Sequence, residues 1–142
     1  MARKRRTRNP RRNIRKRSGR VVDTPKPRAY PTTSSYVTTI VIAGYPVHVF
    51  KIPEFPDPLQ VGEFEENTQE IYIKQDLPSS VAEADTLLHE VLHAINRLAL
   101  IQEDRMTERQ VATISTLLVD TLARNPTLRL ALEERLQGEI SV

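Results

Sequence analysis

The chain has 142 residues, no cysteine and a formal charge of +3. Without cysteine it has neither a disulfide framework nor a thiolate zinc site, and no apolar run reaches the roughly 18 residues of a membrane span. The charge is unevenly placed: 11 of the 21 Lys+Arg and none of the 18 Asp+Glu fall in residues 1–20, so the remainder carries 10 − 18 = −8.

The basic block comprises Arg3, Lys4, Arg5, Arg6, Arg8, Arg11, Arg12, Arg15, Lys16, Arg17 and Arg20. A segment this dense in like charge cannot collapse, and it is predicted to be disordered. Pro25, Pro27, Pro31 and the Ser34-Ser35 pair extend it as a linker, so residues 1–35 read as arm and linker and 36–142 as the folded domain. The arm has the chemistry to neutralise phosphates of a nucleic acid or another polyanion. No aromatic residue precedes Tyr30, so such binding is expected to be nonspecific and salt-sensitive. A solubilising tail lying against the acidic body is the competing expectation. There is no apolar h-region, which argues against a secretory signal, and apolar residues are too sparse for a mitochondrial presequence. With the lack of cysteine, this points to the cytoplasm.

Residues 36–43 are β-branched and apolar and predict a strand. Gly44-Tyr45-Pro46 reads as a turn and 47–52 as a second strand, carrying His48. Pro53, Pro56 and Pro58 break the next stretch. Residues 61–65 and 69–74, separated by Asn67-Thr68, predict a hairpin in which Ile71 and Ile73 alternate with Tyr72. Tyr72 is a candidate oxyanion donor, weighed against a packing residue with a satisfied hydroxyl. Residues 69–74 or the adjoining strand are candidates for binding a peptide by strand addition, weighed against a plain structural hairpin.

A helix is predicted over residues 80–101, with Ser80 and Glu83 at capping-box spacing and Ser80 as N-cap. Val81, Ala84, Leu88, Val91, Leu92, Ile95, Leu98 and Ala99 recur at three- and four-residue steps, so the helix is expected to be largely buried. Within it stands His89-Glu90-Val91-Leu92-His93, the pattern H-E-x-x-H. Residues four apart share a helix face, so two imidazoles there can reach one Zn²⁺ at roughly 2.0–2.1 Å. Glu90 lies about 100° further round, where a carboxylate can serve as general base beside the open coordination position. Burial favours the neutral imidazole that binds metal. The alternative is a pair of ordinary core histidines, which the spacing and the intervening glutamate disfavour in a chain with only three histidines.

A catalytic zinc site takes three protein ligands. Asn96 and Ala99 stand where a metzincin needs Gly and His, which excludes that class. The remaining candidates are Glu108, the loop acids Glu103 and Asp104, and His48. Thr107 and Gln110 have capping-box spacing, so a second helix begins near 107 with Glu108 in its first turn and Val111, Ile114, Leu117, Leu118 and Leu122 as its apolar positions. An acid there is also common simply as a favourable charge at a helix N-terminus. Asn125-Pro126 predicts a last helix over 126–137, with Leu128, Leu132 and Leu136 on its apolar side and Gly138 ending it.

The run from Thr86 to Ile95, followed by Glu108, Val111, Ile114, Ser115, Leu117 and Leu118, resembles a small phage- or prophage-type zincin metallopeptidase and is similar to the ImmA/IrrE-type metallopeptidase domain. The resemblance covers roughly residues 36–137, its sharp part being the H-E-x-x-H segment. It implies His89, His93 and Glu108 as ligands of one Zn²⁺, Glu90 as catalytic base, and a protein or peptide as substrate. It also implies a zincin-like α+β fold: a small antiparallel or mixed sheet of three or four strands packed on the H-E-x-x-H helix and two following helices. A phage-encoded chain would work in the host-cell cytoplasm. Such domains usually carry a support helix before the sheet, and none precedes residue 36. The function expected is zinc-dependent peptide hydrolysis. The competing class is a non-catalytic module on the same scaffold, associated with nucleic acid or virion.

Overall fold

The computed structural model describes residues 23–140, so the arm at 1–20 lies outside the described residues. The architecture is α+β: a four-stranded mixed sheet and three helices. The strands are β1 (Ser35–Ile42), β2 (Tyr45–Ile52), β3 (Gly62–Glu65) and β4 (Glu70–Lys74), in the order β1-β2-β4-β3. The β1–β2 and β3–β4 pairs are antiparallel, and β2–β4 is parallel.

The first hairpin turns on Ala43 and Gly44, both at positive φ (51° and 83°). Two such residues make the tight primed turn whose twist suits a hairpin. Tyr45 therefore pairs with Ile42 instead of belonging to the turn. A larger difference concerns 69–74. Its strand, β4, lies between β2 and β3 and has no free edge for strand addition. The open edge beside the helices belongs to the adjoining strand, β3.

Alternation along the strands divides the core into two clusters. Ile42, Val47, Val49, Ile71 and Ile73 face the first helix, α1 (Ser80–Leu98), and meet Ala94, Leu87, Val91, Ile95 and Leu98. Phe50, Ile52, Phe55 and Tyr72 form the second cluster on the other face, closed by Tyr30. Phe50 and Tyr72 stack at 5.4 Å, and Tyr30 meets Tyr72 edge-on at 4.8 Å. Tyr30 belongs to the stretch expected to be linker. Residues 28–30 instead pack on the sheet, because the buried Glu70 carboxylate accepts the backbone N–H of Arg28 (3.1 Å) and Ala29 (3.2 Å) and the Tyr72 hydroxyl (2.6 Å). The folded unit thus begins before residue 36.

Helix α1 is capped by Ser79, one residue earlier than expected: its side chain accepts the Ala82 N–H at 3.1 Å. Glu83 takes no part in a capping box and pairs with Lys51 on β2, Nζ to Oε1 2.8 Å. Helix α2 (Glu108–Arg124) has the expected box, with Thr107 N–H donating to Gln110 Oε1 (2.8 Å) and Gln110 N–H to Thr107 Oγ1 (3.3 Å). Its buried residues are Val111 and Ser115, while Ile114, Leu117 and Leu118 are exposed. A small residue at the helix–helix contact lets α2 approach α1, and Ser115 satisfies its hydroxyl on Ala112 C=O at 3.1 Å. Helix α3 (Pro126–Ile140) runs through Gly138, and Leu128, Leu130, Leu132 and Leu136 are all exposed. The core draws nothing from it. No helix among the described residues is long and apolar enough to cross a membrane.

Candidate metal centre

On α1 the sheet-facing residues Leu87, Val91, Ala94 and Leu98 occupy one stripe. At 100° per residue, His89 and His93 fall roughly opposite it, on the side that α2 approaches, and Glu90 falls on the flank facing β3. The register that buries the apolar stripe therefore turns the two imidazoles outward together.

The side chain of Glu108 comes from the first turn of α2. Its Oε1 lies 3.0 Å from His89 Nε2 and its Oε2 2.9 Å from His93 Nε2. The two Nε2 atoms are 3.0 Å apart. One ligand atom from each residue lies within 4.8 Å of the others, and the three side chains form a group able to hold a metal ion. A tetrahedral ion with bonds of 2.0–2.1 Å separates its ligands by about 3.3 Å, close to the spacings found. The chemistry of the donors fits as well. Protons on the Nε2 atoms can serve the carboxylate, yet they leave the two ring nitrogens facing each other donor to donor. A cation at the centre uses every one of these lone pairs. Burial holds His93 below the usual imidazole range, with the charge of Glu108 opposing and His89 and Arg97 assisting; this favours the neutral ring that ligates metal.

Glu90 is 6 % exposed. Burial, then the charge of Glu108, push its carboxyl up to about 7; the Phe64 N–H opposes the shift and Glu63 adds to it. A cation held by His89, His93 and Glu108 would replace that repulsion with attraction and favour the ionised carboxylate. The same flank carries a close approach between strand and helix. A β-carbon placed on Gly62 would lie 2.7 Å from Glu90 Oε1 and 2.8 Å from Thr86 Cγ2. Only glycine lets the edge strand close over the Glu90 carboxylate.

Two adjoining cavities meet at these residues. One, about 380 Å³, is lined by Gly62, Glu63, Phe64, Glu66, Arg97 and the four motif and α2 residues. The other, about 320 Å³, runs past Leu59, Gln60, Val61, Asp85 and Thr86 to His89 and Glu90. The cleft is therefore polar on one side of Glu90 and more apolar on the other.

The remaining candidates lie elsewhere. Glu103 and Asp104 sit exposed in a 3₁₀ turn, Gln102–Asp104, outside the three-residue group. His48 is on β2, with Nδ1 2.9 Å from the Thr39 hydroxyl, and pairs across the sheet away from α1. Tyr72 is fully buried in the cluster on the far face and bonds Glu70, so it cannot serve as oxyanion donor at this centre. Sequence reasoning missed Gly62 and Asn96. The sequence shows Asn96 only as a departure from the metzincin pattern; the signal it carries is an amide one turn after His93, on the histidine side of the helix. Comparison with protein-family models, curated proteins and solved structures gives no match.

Proposed function

We propose that the chain is a zinc-dependent metallopeptidase hydrolysing peptide bonds of a protein substrate in the cytoplasm, the host's if the chain is phage-encoded. The observation that carries this is the meeting of His89 Nε2, His93 Nε2 and the Glu108 carboxylate within 4.8 Å, directly beside a buried Glu90. A bound Zn²⁺ supplies a Lewis acid that polarises the scissile carbonyl and acidifies water. His89, His93 and Glu108 hold it. Glu90 accepts the proton of the attacking water and returns it to the leaving amine, a role typically contributing 10²–10⁴-fold. The Phe64 N–H and the wall at Gly62 hold that carboxylate in place. The free edge of β3 is where an extended peptide would lie.

The zinc content of purified protein and of Glu90→Gln tests the proposal. One zinc per chain in both, with peptide hydrolysis only in the wild type, is the expected outcome. Wild-type protein that takes up no zinc on reconstitution overturns it. Zinc retained with no hydrolysis dependent on Glu90 leaves the non-catalytic binding module instead. The arm at residues 1–20 adds a separable proposal, attachment to nucleic acid or another polyanion. Its removal should abolish retention on DNA or RNA at low salt, and unchanged retention argues against it.

A further inference from the structure

We propose that Asn96 is the positioning residue for Glu108, tying the helix that carries both histidines to the segment that carries the third ligand; this rests on the metal centre proposed above. Asn96 lies one turn beyond His93 on α1 and is 5 % exposed. Its side-chain amide grips the backbone of one residue from both sides. Asn96 Nδ2 donates to Met106 C=O at 3.0 Å, and Met106 N–H donates to Asn96 Oδ1 at 2.9 Å. A third bond closes the same corner, from Arg105 Nε to the Asn96 carbonyl at 2.9 Å.

Met106 is two residues before Glu108, and Thr107 between them is the N-cap of α2. Fixing Met106 therefore fixes where α2 starts and where its first side chain points. Nothing else about position 96 calls for asparagine. Helix interiors disfavour it, because its side chain competes for backbone groups, and a buried position there would ordinarily be apolar. The residue is explained by what it holds. Glu108 is itself largely exposed, its side chain 69 % accessible, so packing does not orient it. The amide clamp and the capping box behind it fix the backbone from which its carboxylate reaches His89 and His93. Outer groups that orient metal ligands typically contribute 10–100-fold to metal affinity.

The test uses the full chain and zinc alone. Zinc affinity, by competition with a chromophoric chelator, is measured for wild type, Asn96→Ala, Glu108→Ala and the double variant. Backbone amide relaxation at Glu108 is recorded without metal. Asn96→Ala should weaken zinc 10–100-fold and add little once Glu108 is gone. The Glu108 amide should become mobile while core amides stay rigid. Asn96→Asp keeps the acceptor for Met106 N–H and loses the donor, so it should fall between; it also serves if Asn96→Ala does not fold. Zinc affinity within threefold of wild type in both Asn96 variants overturns the proposal, as do fully additive losses in the double variant. Wild type that binds no zinc overturns the metal centre, and the amide relaxation then decides the positioning role by itself.

Discussion

Gly62 and Glu90 are packed so closely that position 62 has no room for a side chain: an added β-carbon would stand 2.7 Å from Glu90 Oε1 and 3.0 Å from Glu90 Cγ. Gly62 opens the edge strand β3 and Glu90 lies on the flank of α1, so one backbone forms the wall of the other's carboxylate. Gly62→Ala must displace either the strand or the Glu90 carboxylate. Glu90 is buried and has little room to rotate away. If Glu90 acts as the proposed base beside zinc, the expected result is an unchanged zinc content, hydrolysis lower by about 10–100-fold, and a stability loss of about 1–3 kcal/mol from overpacking. Metal analysis beside kcat separates this from a general loss of fold. Full activity in the alanine variant would show that the strand yields without moving the base.

Much of this arrangement is visible in the sequence because it is periodic or local. Val47, Val49, Ile71 and Ile73 alternate with Phe50, Ile52 and Tyr72, and the structure separates them onto two faces as a period of two requires. Thr107 and Gln110 cap α2 as their spacing implies. What is not local is not legible. The parallel pairing of β2 with β4 places β4 inside the sheet, and nothing in residues 69–74 announces it. Ser79 displaces Ser80 as cap, and Glu83 is engaged by Lys51 from a distant strand instead of closing a box with Ser80. Residues 28–30 look like linker until Glu70 is seen to bind their backbone. The apolar positions Ile114, Leu117 and Leu118 mislead, since the contact with α1 selects the small Ser115 over larger neighbours.

Glu70 should couple the N-terminal segment to pH. Burial alone would raise its carboxyl, but the Tyr72 hydroxyl and the N–H groups of Ala29 and Arg28 hold it below its ordinary 4.5. A depressed carboxyl contributes stability that is complete above the unfolded value and is lost as pH falls through the lower folded one. Glu70→Gln presents an amide donor to groups that are themselves donors. It should lose about 2–3 kcal/mol at neutral pH, with a shallower decline in acid than the wild type. Urea denaturation at pH 7 and below 4.5 reads both. Parallel acid profiles for the two proteins would remove Glu70 from the account.

Helix α3 should be dispensable for the fold. Its residues 126–138 are exposed throughout, and Arg129 lines an apolar groove with Val81, Val119 and Leu122. A chain ending at Asn125 is expected to lose no more than about 1 kcal/mol, the scale of surface changes that touch no core, and to keep its zinc stoichiometry. A collapse of the thermal transition would mean that α3 stabilises the fold despite its exposure.

The three-ligand assignment predicts which acid matters. At zinc a hundredfold above its dissociation constant, binding to the native state alone adds about 2.7 kcal/mol, which for a domain of this size raises Tm by about 10 °C. Glu108→Ala should abolish most of that shift, as should His89→Ala. Glu103→Ala and Asp104→Ala should leave it intact, because the 3₁₀ turn holds those carboxylates outside the group formed by His89, His93 and Glu108. Glu108→Gln discriminates further. It keeps an oxygen in place but removes the charge that offsets the cation, so its shift should be small though not absent. Thermal scans with zinc and with chelator measure the wild type and all five variants. Loss of the shift in Asp104→Ala with retention in Glu108→Ala would move the third ligand into the loop and leave Glu108 as a helix-terminal charge.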